Sequence, residues 1–263
     1  MDSKNELVID RRQALKLFAA SVAAVGAAGC AKGGKTVTGI IGAMESEVSA
    51  IKDAMEKPEI TTISGMEFCQ GTISGKKVVV VQCGMGKVNA GICTQTLINT
   101  FGVGRVINTG VAGALNEELS VGDFVIAHDA VQHDYDVTPL GFRRGEIPYT
   151  KMVAFPTDEE LRALAVAAVK DASPSSKVLE GRVCSGDQFI TTEEQIVEIT
   201  SHFGGLCAEM EGGAIAQVCY LNETPFIIIR VISDSGDNSE FEQFVADAAA
   251  KCASAVLEML ESL

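Results

Sequence analysis

Cationic and aromatic side chains are both in short supply in this chain. Tryptophan is absent, aromatic residues make up 5%, and 21 Lys and Arg face 35 Asp and Glu, for a formal charge of −14. Such a chain repels polyanions and has few rings to stack on bases. Nucleic acid is therefore excluded as an expected partner, as is an anionic lipid surface held by charge alone. Histidine is scarce, with 3, and none of the 8 cysteines stand in C-x-x-C spacing. Past Cys30 they fall singly in apolar segments, which points to buried thiols and away from a disulfide framework or a zinc site. No uninterrupted apolar run reaches the roughly 20 residues of a membrane-spanning helix.

What is present is a large apolar fraction, 47% of 263 residues, enough for one substantial core. The N-terminal segment has its own layout. Arg11 and Arg12 with Lys16 precede an alanine-rich run from Leu17 to Gly29, and "AAGC" ends in Cys30. Basic segment, short apolar segment and small residues before a cut form the pattern of an export signal. The paired arginines resemble a twin-arginine signal, and the "AAGC" resembles a lipoprotein processing site with Cys30 as the acylated residue. The expectation is a signal segment over 1–29 and one folded domain over 36–263. The product would be exported and, if acylated, anchored on the extracytoplasmic side of a membrane; an unused signal would leave it cytoplasmic.

From Thr36 onward strand-like and helix-like segments alternate. "TVTGIIG" has the length of a strand, and "MESEVSAIKDAM" sets Val48, Ile51 and Met55 at helical spacing. "MEFCQGTISGKKVVVVQCG" predicts a hairpin, "KVNAGICTQTLINTFG" a helix closed by Gly102, and "RVINTG" a short strand into a glycine turn. "TDEELRALAVAAVKDA" predicts a helix capped at Thr157. "PFIIIRVISDSG" has the unbroken β-branched character of a strand covered on both faces. The order predicts an α/β fold: a single-domain three-layer sandwich with a central mixed, twisted sheet flanked by helices.

Carboxylates recur where strands end and helices begin: Glu45 and Glu47, Asp187, Glu209 and Glu211, Asp234 and Asp237. Sites in open α/β sheets form beyond the carboxyl ends of the strands, so these positions could converge. "GMGKVNAG" lacks the G-x-G-x-x-G spacing of a dinucleotide site, and no cofactor is expected. His128 and His133 in "HDAVQHDYD" differ in strand parity and miss the i, i+4 helical spacing, so no metal is expected either.

Taken jointly, "GIIGAMESEV", "GMGKVNAG", "INTGVAGAL", "VGDFVIAHDAVQHDYDVT", "SGDQFI", "AEMEGGAIAQVC" and "RVISDSGD" resemble the 5′-methylthioadenosine/S-adenosylhomocysteine nucleosidases of the nucleoside phosphorylase superfamily. The resemblance runs from about Thr36 to the C-terminus. It implies that Glu47 activates water, Asp234 beside Ser233 protonates the leaving adenine, and Glu211 beside Met210 binds the ribose hydroxyls. It further implies an adenine pocket at Phe189 and Ile190, a backbone contact at Gly113, and a ribose and 5′-substituent lining from Met44, Met85 and Phe241. Val137, Leu140, Phe142 and Pro148 match positions that close the neighbouring subunit's pocket, which implies a homodimer. Val111 stands where the family often has a small hydroxyl residue.

The chemistry fits these residue types. Breaking an N-glycosidic bond calls for a proton on the leaving base and tolerance of positive charge on the sugar. An acid and a base on opposite sides contribute about 10²–10⁴-fold each. A carboxyl at the buried end of an apolar strand keeps its proton more readily, and negative charge is favoured at a helix N-terminus. Two alternatives stand beside hydrolysis: a phosphorylase of the same superfamily, and a non-catalytic nucleoside-binding lipoprotein. A phosphorylase needs a cationic cradle near the first glycine turn, where this chain has Glu45 and Glu47.

Overall fold

The computed structural model describes residues 36–236 and 238–263. The expected signal segment, Cys30 and Asp237 lie outside the described residues. Among the described residues ten strands form one mixed sheet: β1 (Thr38–Gly42), β2 (Glu56–Ile63), β3 (Met66–Ile73), β4 (Lys76–Gln82), β5 (Arg105–Ala114), β6 (Phe124–Gln132), β7 (Ala154–Pro156), β8 (Val178–Ser185), β9 (Cys207–Glu209) and β10 (Phe226–Asp234). The helices are α1 (Glu45–Asp53), α2 (Lys87–Phe101), α3 (Glu159–Ala172), α4 (Glu193–Phe203), α5 (Gly212–Leu221) and α6 (Asn238–Ser262). Among the described residues no helix is long and apolar enough to cross a membrane.

The sheet runs β2-β3-β4-β1-β5 and then divides. Strand β5 pairs with both β9 and β10, and β10-β6-β8-β9 returns to it, so five strands form a closed circuit. Closure leaves β10 paired on both edges. All nine of its residues are buried, and they alternate between two cores. Phe226, Ile228 and Ile232 face the core containing α2 and α5, whereas Ile227, Ile229 and Val231 face the one containing α1, α3 and α6. Period-2 alternation with apolar residues on both sides is what a doubly covered strand requires.

The sandwich expectation holds, with local differences. The strand begun by "RVINTG" does not turn at its glycine but continues to Ala114. Gly110 pairs with Arg230 and Gly113 with Asp234, and both glycines lie under those side chains, where a strand needs a residue without a side chain. The "EKPEITTI" segment is strand β2, an edge strand almost wholly exposed, so it carries no alternation to detect. Helix α3 is capped by Asp158, whose carboxylate accepts from Leu161 N, and not by Thr157. The Thr157 hydroxyl instead donates to Ala127 O at 2.6 Å. Helix α4 opens with a capping box, with Thr192 and Gln195 reciprocally bonded. The cysteines among the described residues are free and buried.

Candidate active site

A cleft of about 680 Å³, open to solvent, lies at the carboxyl ends of the parallel strands β1, β5 and β10. Every site residue expected from this chain itself lines it: Met44, Glu47, Met85, Gly113, Phe189, Ile190, Met210, Glu211, Ser233, Asp234 and Phe241. The segment carrying Val137, Leu140, Phe142 and Pro148 does not reach the cleft of its own chain, and Leu140 is 74% exposed.

Glu47 is the third residue of α1, and its carboxylate folds back over the turn that precedes the helix. Oε2 accepts from the backbone N–H groups of Ala43 at 2.7 Å and Met44 at 2.9 Å, and Oε1 accepts from Val111 N at 3.0 Å. Two N–H groups of the turn that leads into the helix, and one from β5, are thus occupied by the protein's own carboxylate. Gly42 makes room for this, since a Cβ there would stand 2.7 Å from Val48 Cγ1 and 3.0 Å from Glu47 Cβ. Glu45 takes no part; it is exposed and pairs with Lys52 at 2.7 Å.

Behind Glu47 sits Arg230, which the sequence reading passed over inside its β-branched strand. It is 2% exposed. Its Nη2 donates to Asn108 Oδ1 at 2.6 Å and to Glu209 Oε2, and lies 3.9 Å from Glu211 Oε2. Burial opposes its charge, but Glu209, Glu211 and Glu47 outweigh burial and raise its affinity for the proton. Glu209 is also a site residue that sequence reasoning left unassigned. It accepts from Ser185 Oγ and from Gly212 N at 2.7 Å, which fixes the start of α5. The signal for both was available: one charge in a doubly buried strand requires an opposite charge nearby.

Glu211 immediately precedes α5, and its Oε1 accepts from Gly86 N at 2.8 Å. Burial, and next the charge of Glu209, push its carboxyl up to about 7. Asp234 ends β10. Its Oδ2 accepts from Ser233 Oγ and its Oδ1 from Gly236 N, both at 2.9 Å. A Cβ at Gly113 would stand 3.1 Å from Asp234 Oδ1, so the glycine leaves that carboxylate face open. Phe189 and Phe241 meet edge to face, with ring centroids 5.3 Å apart, and form an aromatic corner of the cleft. His128 Nε2 lies 3.4 Å from Asp129 Oδ2, and among the described residues no group of three or more His, Cys, Asp and Glu is arranged to hold a metal ion.

Residues 37–261 match the Phosphorylase superfamily. The 5′-methylthioadenosine/S-adenosylhomocysteine nucleosidase of Shewanella pealeana is 41% identical over 229 residues, which covers 86% of this chain and 99% of that one. The chain belongs to the 5′-methylthioadenosine/S-adenosylhomocysteine nucleosidase family. Among solved structures, the Neisseria meningitidis nucleosidase in complex with methylthio-immucillin-A superposes with a TM-score of 0.84 at 38% identity, covering 87% of this chain and all of that one. The Helicobacter pylori futalosine hydrolase superposes at 0.83 with 32% identity, covering 87% and 99%. In this member of the nucleosidase family, three carboxylates, Glu47, Glu209 and Glu211, surround one buried guanidinium, so the cleft favours a cation over a free anion.

Two consequences are measurable. A Cβ at Gly110 would stand 2.5 Å from both Arg230 Nη1 and Glu47 Oε1. Gly110→Ala is expected to cost about 1–3 kcal/mol in urea unfolding, as overpacking does; wild-type stability would mean the two groups separate freely. Glu211 has a folded-state value above the ordinary carboxylate range. Its favourable contribution therefore exists below that range and is lost as pH rises through about 7. Glu211→Gln should become progressively more stable relative to wild type between about pH 5 and pH 8. A difference that stays flat across that window would place its titration elsewhere.

Proposed function

We propose that the chain hydrolyses the N-glycosidic bond of 5′-substituted adenosines, such as 5′-methylthioadenosine, S-adenosylhomocysteine and 5′-deoxyadenosine. The products are adenine and the 5′-substituted ribose. The observation that carries this reading is the placement of Glu47. Its Oε2 uses both lone pairs on Ala43 N and Met44 N, and its Oε1 uses one on Val111 N. One lone pair on Oε1 remains for a proton. A water beside it loses that proton to Glu47 as its oxygen bonds to C1′ of the ribose. The C1′–N9 bond breaks, its electrons pass into the purine, and Asp234 gives N7 a proton. The water's oxygen and one hydrogen end on the sugar, and the proton held by Glu47 replaces the one Asp234 gave up.

The remaining parts follow from this assignment. Glu211, as its carboxylate, accepts hydrogen bonds from the ribose hydroxyls. Positive charge growing on the sugar meets the carboxylate cluster, with Arg230 holding Glu209 in place. The base lies against Phe189 with the Ile190 backbone at its edge, and Met44, Met85 and Phe241 suit an apolar thioether tail. In a homodimer, Val137, Leu140, Phe142 and Pro148 of each chain would complete the other's 5′ pocket; the exposure of Leu140 and of neighbouring Tyr149 supports that reading. The paired arginines and Cys30 support export and lipid anchoring.

The assay is adenine release from 5′-methylthioadenosine with and without phosphate. Release should be independent of phosphate. Glu47→Gln should lower kcat by about 10²–10⁴-fold while adenosine-type ligands still bind. Strict dependence on phosphate would make the chain a phosphorylase, and equal, negligible turnover in both proteins would make it a binding protein. For localisation, replacing Arg11 and Arg12 with Lys should shift the protein from the membrane fraction to the cytoplasm. An unchanged distribution would exclude a twin-arginine route.

A further inference from the structure

The walls of the cleft are joined, outside it, by a ring of hydrogen bonds that the proposed reaction does not use. Lys87 N donates to Asp187 Oδ1 at 2.8 Å, and Asp187 N donates to Asp134 Oδ2 at 2.9 Å. Lys87 Nζ closes the ring onto the other oxygen of Asp134 at 2.6 Å. Each link joins segments far apart in sequence, and two of the three have an ionised side chain at one end and a backbone N–H at the other. Lys87 Nζ also reaches Gln132 Oε1 at 3.3 Å, and Gln132 is held by Gln217 at 2.6 Å. The Lys87 and Asp134 side chains are only 16% and 18% exposed, unlike a surface pair that contributes little. Burial works against the charge of Asp134, while Lys87 and the N–H of Asp187 outweigh it and hold the carboxyl below its usual range.

What the ring connects gives it meaning. Lys87 ends the glycine segment that carries Met85 and Gly86, and Gly86 N anchors Glu211 on the ribose side. Asp187 leads directly into Gln188, Phe189 and Ile190 on the base side. The two segments touch closely, since a Cβ at Gly86 would stand 3.1 Å from Asp187 Oδ1. We infer that Lys87 is a positioning residue: with Asp134 and Asp187 it forms a clamp that sets the spacing between the ribose wall and the base wall. The inference rests on the nucleosidase reading above for the identity of the two walls. A ligand that touches both walls needs the clamp, whereas a ligand on one wall does not. Preorganisation of this kind acts by removing the ordering cost from binding.

The test compares a bridging ligand with half of it. Lys87→Met is expected to raise KM for 5′-methylthioadenosine about 10-fold or more, with kcat falling less. The Kd of adenine alone should change by less than about 3-fold. Lys87→Arg should restore part of the loss, and Asp134→Asn should reproduce it. The double variant should be no worse than either single one, because both remove the same link. Lys52→Met, which breaks an exposed pair elsewhere, serves as the control. Equal weakening of nucleoside and adenine, additive single losses, or a wild-type KM in Lys87→Met would overturn the clamp. A wild type that releases no adenine would overturn the hydrolase reading instead. The clamp would then be decided by calorimetric binding of 5′-methylthioadenosine and of adenine to Lys87→Met and Asp134→Asn.

Discussion

A guanidinium without access to water must be matched by acceptors, and the site around Arg230 is organised by that requirement. Its partners come from three places: Asn108 on β5, Glu209 on β9, and Glu211 immediately before α5. Glu47 approaches from α1 over Gly110. Removing one member of a buried charged group leaves the others uncompensated, commonly at about 3–5 kcal/mol. The cluster therefore couples the placement of the carboxylates to the integrity of the fold. It also concentrates more negative than positive charge in a closed space, which suits a reaction whose sugar becomes cationic and disfavours a free phosphate.

How much of this could be read from sequence depended on how each residue signals itself. Glu47, Glu211 and Asp234 stand at boundaries between elements, where a carboxylate is conspicuous beside glycine or a β-branched run. Arg230 stands inside such a run, and the averaging that identifies a buried strand conceals the single charge within it. Gly110 and Gly113 suggest a turn when seen alone. They are extended because Arg230 and Asp234 lie over them on the neighbouring strand, a cause that exists only in three dimensions. Strand β2 shows no alternation because neither face is covered, and β7 and β9, of three residues each, are held by their partners. Thr157 and Asp158 are both good caps, and the choice between them falls to Asp158 because β6 takes the Thr157 hydroxyl. The clamp was invisible for the same reason: Lys87 reads as a lone cation in a glycine cluster until Asp134 and Asp187 are brought to it.

The glycine-bearing turn after β1 illustrates how one local geometry can be turned to a different chemistry. Its backbone donors are those of an anion site, and the side chain that fills them comes from the same helix. A carboxylate bound this way is fixed in place by three N–H groups, and the proposed reaction uses the lone pair left on its Oε1. No cationic residue needs to be recruited, and Lys87, the cation of the second glycine segment, is already committed to Asp134.

The double pairing of β10 has a further consequence. Amide protons exchange slowest where strands are buried and bonded on both edges, and frayed or exposed segments exchange fastest. Asp234 is carried on a strand that is wholly buried and bonded on both edges, whereas Leu140 is exposed. On the proposed assignment, the acid that cleaves the bond and the surface that would select the substrate's tail belong to different layers of stability. On that assignment, substitutions in the second would accumulate without loosening the first, and a single scaffold would change its preferred nucleoside while leaving the proposed acid and base where they are.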